Sequence, residues 1–523
     1  EVILQVAKIE DEKQLSDLAD QAEAALEKQQ TVSSLLAYDI SFISQSTGKE
    51  VEPAEAVSVS IRVKEPIAAE QKAKSAEKEA TGVSVVHLPE DGKAEVVAAT
   101  ENVQETNFEF EAESFSIFVV ATVAEAEGTA IVGDKRFDTL QAAIDAVDGE
   151  DNTIYLLHDV AENIVSSGKN YVLDLGGFTI TNADAKKNIY KINGGTVVIQ
   201  NGIIDGDKLG SGTKGKGIYV TQKAKLALEN CAVKRCSGSG IYASSADTVT
   251  IDSGSEITEN TSGSGGGIYL YTGSLAIKGG SKITNNTASS NGNGIYVGGG
   301  DISINDAEIS GNGYSNDKAV GVFLSNSNAD IRNAVFNKNG GFRVENRGEK
   351  NVLLNHVSFN ENKGESVLYI SNHKALWGSD IAGEFKANDC RFFNNHVTGK
   401  YAVVFLSGKG AKTFEECMFQ ENSGTNAALG VIGFNSTENY YCNITVDGCE
   451  FLDNNVGKAG AIYNNGKANI INVNHSFIAG NTGNQAGAIY TNDGTNNRNG
   501  SVRVADTIIK NNIGAATGGI YVS

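Results

Sequence analysis

A tripeptide that recurs about every 27 residues constrains the fold of this chain more than any other feature. In each copy a small residue precedes an aliphatic residue and then an aromatic one. The copies are Gly217-Ile218-Tyr219, Gly240-Ile241-Tyr242, Gly267-Ile268-Tyr269, Gly294-Ile295-Tyr296, Gly321-Val322-Phe323, Ala461-Ile462-Tyr463, Ala488-Ile489-Tyr490 and Gly519-Ile520-Tyr521, with looser versions at Leu368-Tyr369 and Val404-Phe405. Such a repeat predicts stacked units that bury their apolar residues only against one another.

A second repeated pair consists of an apolar residue and an asparagine three positions later. The copies are Ile257/Asn260, Ile283/Asn286, Ile309/Asn312, Phe336/Asn339, Phe359/Asn362, Phe392/Asn395, Phe419/Asn422, Phe451/Asn454, Ile478/Asn481 and Ile509/Asn512. Asparagines that stack in successive turns pass side-chain amide hydrogen bonds from one unit to the next. The sequence therefore predicts an asparagine column with a structural role.

Short stretches of alternating apolar residues, such as Leu275 and Ile277 or Ile302 and Ile304, precede these pairs. Alternation over three to five residues is typical of short strands. Three strands in each repeat, separated by Gly and Asn turns, predict a mainly β fold: a right-handed parallel β-helix of about 13 coils over residues 128–523. The three prolines all lie before residue 90, which suits an array whose amides pair with neighbouring strands.

An open end of such a stack would expose unpaired strand edges, so a cap is expected there. Residues 137–148 place Phe137, Leu140, Ile144 and Val147 at helical spacing. We predict an N-terminal capping helix at these residues, within a cap region of residues 128–160. The chain begins without Met and ends inside a repeat, so we expect it to be part of a longer protein.

Residues 1–127 have a different pattern and are expected to form a separate β-rich module. Residues 11–29 predict one amphipathic helix, and the strand candidates are 34–44, 56–63, 82–88, 94–99, 106–111 and 114–121. We infer a small domain like a β-sandwich or barrel with this one helix.

Parts of the module resemble modules of large surface proteins of anaerobic Gram-positive bacteria. The segments are Ala37–Phe42, Gly48–Pro53, Val83–Leu88 and Phe110–Phe118. The array resembles right-handed β-helix surface proteins of the broad pectate-lyase-like fold, including bacterial adhesins with Gly-Gly-Ala-Ile and Phe-x-x-Asn repeats. The resemblance implies an extracellular protein, secreted or attached to the cell wall by segments outside this chain, that acts in adhesion.

Composition argues against several function classes. The net charge is −21, and residues 1–127 hold 26 acidic and 10 basic side chains, which would repel a nucleic acid. No apolar run is long enough for a membrane helix, so we expect no membrane insertion. The six histidines have no metal-like spacing, and we expect no metal and no cofactor. We expect a monomer. Cys390, Cys417 and Cys449 share the small-residue position and are expected to be buried thiols; pairing of Cys442 with Cys449, or of Cys231 with Cys236, stays open.

Catalysis is an alternative because parallel β-helices also include pectate lyases and polygalacturonases. The segment from Asn201 to Gly206, followed by Asp207 and Lys208, is similar to a structural segment of polygalacturonases. The paired-Asp, Gly-His-Gly and Arg-x-Lys motifs of those enzymes do not follow it. No convergent set of titratable residues is visible, so we assign no catalytic residue.

Binding candidates come from departures from the repeat. One long coil inserts residues 371–380, in which Trp377 with His373 and Lys374 offers an aromatic face and polar groups to a sugar. A second inserts residues 435–442, with Tyr440 and Tyr441. In a short coil, Arg343 and Arg347 are a charged departure. Each set also has a structural interpretation, as a pinned loop or as surface ion pairs in a turn.

The repeated tyrosines allow two interpretations. Because the preceding residue is always aliphatic, we expect the aliphatic side chain inward and Tyr219, Tyr242, Tyr269 and Tyr296 outward. This ladder either binds glycan or protein, or stabilises the stack through mutual stacking or cover by turns. The sequence favours a non-catalytic adhesin that binds a host or matrix glycan or protein through the solenoid side or the inserted loops. The alternatives are a secreted polysaccharide lyase or glycoside hydrolase, and a structural spacer.

Overall fold

The computed structural model describes residues 2–28, 30–67, 80–90, 92–125, 127–148, 152–184, 186–206, 215–315, 318–373, 382–425, 429–436, 442–466, 469–491 and 501–522. Contact density divides the chain into two units, Glu1–Asp138 and Thr139–Ser523. No helix among the described residues has both the length and the apolar character needed to cross a membrane.

The first unit is built on an antiparallel sheet with one helix. The strands follow the spatial order Val2–Ile9, Gln30–Ser44, Ile117–Glu125, Gly82–Leu88 and Glu95–Thr100. Val57–Arg62 pairs with Asn107–Ala112 in a second small sheet, and Ala130–Val132 pairs with Lys135–Phe137. The apolar residues form two clusters, one of which includes residues of the helix Glu12–Glu23. The predicted helix is shorter than expected, because Asp11 caps it and the chain leaves the helical path after Glu23.

The second unit is a mainly β solenoid, as the sequence predicted. One sheet, here called the tyrosine sheet, contributes one strand to each coil. Its fourteen described strands are Ile164–Ser167, Tyr190–Asn193, Ile218–Thr221, Ile241–Ala243, Ile268–Leu270, Asn291–Val297, Val320–Ser325, Gly341–Arg347, Leu368–His373, Val404–Gly408, Ile432–Ser436, Ile462–Gly466, Ile489–Thr491 and Ile520–Val522. They pair in parallel in this order, in agreement with the expected number of coils.

A second long sheet provides the other two sides of most coils. Its strands in the array are Thr153–Leu156, Val160–Ala161, Asn170–Asp174, Thr179–Thr181, Thr196–Asp205, Ala224–Lys234, Ala246–Asp252, Glu256–Thr258, Ser274–Thr284, Asp301–Ser310, Ala329–Asn337, Val352–Asn355, Ser358–Asn360, Phe385–Asn388, Arg391–Phe393, Lys412–Glu415, Met418–Gln420, Cys442–Asp447, Glu450–Leu452, Asn469–Asn474, Phe477–Ala479, Ser501–Ala505 and Ile508–Lys510. Short pairings join Thr261–Ser262 to Thr287–Ala288, Lys363–Gly364 to His396–Val397 and Ser423–Gly424, and Thr482–Gly483 to Ile513–Gly514.

The asparagine column is a continuous hydrogen-bonded ladder along one corner of the solenoid. Each side chain accepts a backbone and a side-chain N–H from the asparagine one coil earlier, as where Asn362 donates to Asn395 Oδ1 at 2.9 and 3.0 Å. Each also donates to the carbonyl of an earlier apolar residue, as from Asn395 Nδ2 to Phe359 at 2.8 Å. The ladder runs without a break from Asn260 to Asn512, which confirms the predicted column.

The capping helix is shorter than the predicted span of 137–148. It covers Leu140–Ala146, and Phe137 lies on the preceding strand instead. The reason is local: Thr139 has an extended backbone, and its side chain accepts a hydrogen bond from the amide of Ala142, which starts the helix after residue 139. Leu140, Ile144 and Val147 are buried as expected.

The cysteines of the small-residue column are buried. Cys390, Cys417 and Cys449 are free thiols, and Cys231 and Cys236 are also free. Cys231 is therefore not bonded to Cys236, and Cys449 is not bonded to Cys442. The buried position of these thiols fits the small space available where the coil bends.

Candidate functional site

The outward positions of the tyrosine sheet form one column along the solenoid. From coil to coil the residues in register are Lys191, Tyr219, Tyr242, Tyr269, Tyr296, Phe323, Arg343, Tyr369, Phe405, Gly433, Tyr463, Tyr490 and Tyr521. The aliphatic residues before Tyr219, Tyr242, Tyr269 and Tyr296 are fully buried, which confirms the predicted orientation. We call this row the tyrosine column.

The first part of the tyrosine column is open to solvent. Tyr219, Tyr242, Tyr269 and Tyr296 are each partly exposed. The rings of Tyr242 and Tyr269 stack at 4.6 Å with an interplanar angle of 4°, and those of Tyr269 and Tyr296 at 4.8 Å and 1°. Because neighbouring rings cover each other's faces, these tyrosines present ring edges and hydroxyls outward, and the faces are not free for a ligand.

The later part of the column is sealed by the turns that precede the strands. Phe405, Tyr463 and Tyr490 belong to one buried cluster with Ala402, Leu429, Ala459 and Ala486. Tyr463 and Tyr490 are only 3% and 7% exposed. Both structural alternatives raised by the sequence are therefore present, stacking in the open part and cover by turns in the sealed part.

Tyr271 is a tyrosine of the open part that stands outside the column. It follows the strand Ile268–Leu270, at a position that holds Thr221 and Ser244 in the two preceding coils, and it is 57% exposed. Its backbone amide donates to the carbonyl of Ala243 at 2.8 Å, which fixes the residue to the coil below. Among the described residues its ring makes no stacking contact with another aromatic ring.

The next coil leaves room for this ring because it carries three consecutive glycines, Gly298–Gly300. A methyl group at Gly298 would lie 3.3 Å from both Tyr271 Cδ2 and Tyr296 Cε1. The ring thus rests beside a glycine shelf on one side and faces solvent on the other. This is the arrangement of an exposed aromatic platform.

Polar groups lie on the two preceding coils of the tyrosine sheet. The Ser244 hydroxyl lies 3.1 Å from the Tyr219 hydroxyl and 3.3 Å from that of Thr221. The Lys216 ammonium lies 4.5 Å from the centroid of the Tyr242 ring. An aromatic surface with a rim of hydroxyls and a cation can bind a polar ligand that also has an apolar face, such as a sugar.

The sequence analysis did not predict Tyr271 as a site residue, because Tyr271 lies outside the repeated tripeptide. Two signals were present in the sequence. A bulky aromatic residue replaces Thr or Ser at this position of the repeat, and the next coil has Gly298-Gly299-Gly300 at the corresponding place. A large side chain beside a run of residues without side chains indicates a platform with space around it.

Of the predicted binding residues, Arg343 and Arg347 lie in the described part of the chain. They belong to the strand Gly341–Arg347, so the interpretation that places them in a turn is wrong. Arg343 occupies the tyrosine column, forms an ion pair with Glu345 at 2.5 Å and places its guanidinium 4.5 Å from the Tyr369 ring centroid. Arg347 is exposed and lies in register with His373. Because its guanidinium packs on the Tyr369 ring, Arg343 can occupy a position that holds an aromatic residue in most other coils.

Most of the other predicted residues lie outside the part of the chain that the structure describes. Trp377, Lys374, Tyr440 and Tyr441 lie outside the described residues, as do Asp207 and Lys208. His373 ends the strand Leu368–His373, and only its backbone position is described. Their role in binding stays a prediction.

A groove of about 470 Å³ lies on the long sheet, lined by Asn201, Asn230, Gly254 and Glu256 among others. The outward residues Glu229 and Asp252 precede Asn230 and Gly254 and lie in register on adjacent strands. The Lys278 ammonium binds Asp252 at 2.8 Å and, through this hydrogen bond first, holds the pKa of that carboxyl below its usual value. Neighbouring parallel strands are about 4.8 Å apart, so the two carboxylates emerge close together.

Comparison with known proteins agrees with the architecture. The family model described as "Right handed beta helix region" matches residues 140–309, 216–376 and 267–429, which together exceed half of the chain. No curated protein matches the sequence. The solved structures found include the catalytic unit of a thermostable GH87 alpha-1,3-glucanase from Streptomyces thermodiastaticus strain HF3-3, at 12% identity and a TM-score of 0.33, covering 99% of this chain and 96% of that one.

A second solved structure is a variant of a GH87 alpha-1,3-glucanase catalytic domain in complex with tetrasaccharides, at 11% identity and a TM-score of 0.32, covering 100% of this chain and 96% of that one. The family match covers the capping helix and most of the coils that carry the tyrosine column and the asparagine ladder. With its parallel stacked coils and this match, the chain belongs to the right-handed β-helix family.

Proposed function

We propose that this chain is an extracellular, non-catalytic adhesion or display protein that binds a glycan on the open part of the tyrosine sheet, with Tyr271 as the platform for a sugar ring. The observation that carries the proposal is the exposure of Tyr271, which is 57%, next to the shelf of Gly298–Gly300. An exposed aromatic ring with open space beside it offers a sugar a surface on which to stack.

A sugar fits this surface better than an apolar partner does. The Tyr271 ring is 57% exposed, and hydroxyls of Thr221 and Ser244 lie on the two coils below it. A pyranose offers an apolar face to a ring and hydroxyls to such a rim. Because the coils repeat about every 4.8 Å along the axis, a linear glycan that runs parallel to the solenoid would meet one coil after another.

The test is a binding titration of glycan oligomers of increasing length with the whole chain and with Tyr271→Ala. We expect the variant to lose about tenfold in affinity, or ~1.4 kcal/mol, because the stacking surface is gone. The matched control is Tyr314→Ala, which removes another exposed tyrosine, 39% exposed, outside the tyrosine sheet. Its affinity should equal that of the native chain.

The same titration distinguishes this site from the inserted loops. A variant with Trp377, Tyr440 and Tyr441 all replaced by alanine should keep the native affinity if the tyrosine sheet is the site. If this variant loses binding while Tyr271→Ala keeps the native affinity, the inserted loops and not the tyrosine sheet form the binding site. A native chain that binds neither glycans nor host proteins would favour the spacer.

A glycoside hydrolase is the second candidate, and the pair Glu229 and Asp252 favours it. The two residues are in register on neighbouring strands, which are about 4.8 Å apart, and a retaining glycosidase needs its two carboxyl groups at a separation of about 5 Å. Asp252, held ionised by Lys278, would be the nucleophile, and Glu229 the acid. Asn201 and Asn230 in the adjoining groove would bind sugar hydroxyls.

Release of reducing sugar from a polysaccharide panel tests this candidate. Glu229→Gln and Asp252→Asn should each abolish any release, whereas Asp330→Asn, which breaks an ion pair with Arg332 in a later coil, should leave it unchanged. Release that survives both substitutions would exclude this pair. If the native chain releases no sugar, the hydrolase candidate is excluded and glycan binding remains the proposed function.

A further inference from the structure

We infer that the open face selects glycans whose sugars carry carboxylate groups, with Lys191 and Lys216 as the residues that hold the anionic groups. The inference rests on the proposed glycan site at Tyr271 and names the class of glycan it takes. It comes from the charges at the first end of the tyrosine column.

Two ammonium groups converge on one ring at this end. Lys191 Nζ lies 5.8 Å and Lys216 Nζ 5.3 Å from the centroid of the Tyr219 ring. Lys216 Nζ also lies 4.5 Å from the centroid of the Tyr242 ring. The rings attract these cations but do not neutralise them, so a positive potential remains between the two lysines.

Many cations elsewhere in the array are paired with a carboxylate. Lys225 pairs with Asp247, Lys278 with Asp252 and Lys386 with Glu415, at 3.4, 2.8 and 2.7 Å. For Lys191 and Lys216 the described residues provide no carboxylate partner within 4.0 Å. Two ammonium groups held near one ring leave an excess of positive charge there, and an anion would complete the site.

The lysines and the platform lie on one continuous surface. Lys216 lies over the ring of Tyr242, which is in register with Tyr269. Tyr271 follows Tyr269 by two residues. The backbone of Tyr271 is hydrogen-bonded to Ala243, the residue after Tyr242. Ser244 and Thr221 hold the position of Tyr271 on the two preceding coils, so a glycan that runs from Tyr271 toward the first coils passes along the hydroxyl edges of Tyr242 and Tyr219, beside the ammonium groups.

The test compares carboxylated polymers with the same polymers after their carboxylates have been reduced to alcohols. Hyaluronan, alginate and polygalacturonate are suitable probes, each titrated in both forms against the native chain. We expect the native forms to bind about tenfold more tightly than the reduced forms, and the difference to shrink as the salt concentration rises.

The variant Lys191→Gln with Lys216→Gln should remove this preference while keeping the affinity for the reduced polymers. The matched control is Lys282→Gln with Lys510→Gln, which removes the same charge from the long sheet and should keep the preference. The unfolding temperature of both variants should equal that of the native chain.

The outcomes separate this inference from the proposed function. Equal binding of both polymer forms, with affinity lost only in Tyr271→Ala, would overturn the carboxylate preference and leave the glycan site intact. Failure of every polymer form to bind would overturn both. A preference for carboxylates that the lysine variant retains would also overturn the assignment of Lys191 and Lys216.

Discussion

The open and sealed parts of the tyrosine column contain the same kind of residue in the same register, yet they differ in solvation. Tyr269 and Tyr296 are partly exposed, whereas Tyr463 and Tyr490 are buried at 3% and 7% exposure. The strands beneath them pair in the same way in both parts. The difference must therefore come from what lies above the column.

The turns that precede the strands account for the difference. In the open part they consist of small residues, as in Thr261–Gly266, and a Cβ added at Gly265 would meet Tyr269 at its Cα and Cβ, not at its ring. In the sealed part they bring Ala402 and Leu429 over the column. The repeat thus sets where each aromatic residue lies, and the turn decides whether its ring serves as a surface or as core.

The largest expected effect concerns a feature that both parts share. Asn286→Leu in the open part and Asn422→Leu in the sealed part should each lower the free energy of unfolding by about 4 kcal/mol, because each leaves a buried N–H and a buried carbonyl unpaired. Chemical unfolding of both variants provides the measurement. The exposed Asn305→Ala should change stability by less than about 0.5 kcal/mol.

Equal losses at the two asparagines would show that the ladder supports both parts alike. A loss confined to one part would mean that the parts differ in their coils and not only in their cover.

The second prediction separates the two parts directly. Tyr463→Ala should cost about 3 kcal/mol because it leaves a cavity beneath the turns, whereas Tyr269→Ala should cost about 1 kcal/mol because its site is already open to water. Urea unfolding followed by circular dichroism measures both. Similar costs would contradict the assignment of the two environments.

The third prediction concerns Gly433, which stands in the sealed part where the repeat would have an aromatic residue. A Cβ at this position would lie 2.6 Å from that of Ala402 and 3.3 Å from that of Leu429, so the cover itself fills the space. Restoring the repeat with Gly433→Tyr should therefore destabilise the protein by about 2 kcal/mol through overpacking. An increase in the unfolding temperature would show that the cover yields easily.

The smallest expected effect is a pH dependence at His475, which follows the long-sheet strand Asn469–Asn474 and lies between Tyr463 and Tyr490 in the sequence. His475 Nδ1 lies 2.7 Å from Asp447 and its Nε2 3.8 Å from Asp506, and the hydrogen bond to Asp447 is the first cause that raises the pKa of His475 above 6.5. Because the folded pKa is the higher one, the added stability is full below pH 6.5 and is lost as the pH rises through the folded pKa. His475→Asn should remove this dependence from thermal unfolding curves, and a dependence that persists would place its origin elsewhere.

Much of the fold could be predicted because stacked coils repeat their residues. Ten asparagines at one spacing imply one column, and an aliphatic residue before each aromatic one implies which side faces inward. The capping helix was predicted too long because helical spacing continued through Phe137, whereas the cap at Thr139 depends on a hydrogen bond that spacing does not reveal.

The candidate site was less predictable because exposure depends on contacts between turns and strands that are distant in sequence. Leu429 and Tyr463 are 34 residues apart yet belong to one cluster. Tyr271 lies just past the end of the strand Ile268–Leu270, two residues after Tyr269, and the space beside its ring depends on Gly298 in the next coil. The loop residues were predicted as binding residues because they interrupt the repeat. Tyr271 changes only the residue type at one position and leaves the length of the repeat unaltered.

Nitration of tyrosines, mapped by mass spectrometry with and without a bound glycan, tests most directly whether turns divide the face into a surface for binding and a buried core. The account predicts that Tyr271 reacts fastest, that Tyr463 and Tyr490 stay unmodified, and that the glycan protects Tyr271 but not the exposed Tyr314 outside the tyrosine sheet. Modification of Tyr463 as fast as Tyr271, or no protection of Tyr271 by a glycan that binds, would contradict it.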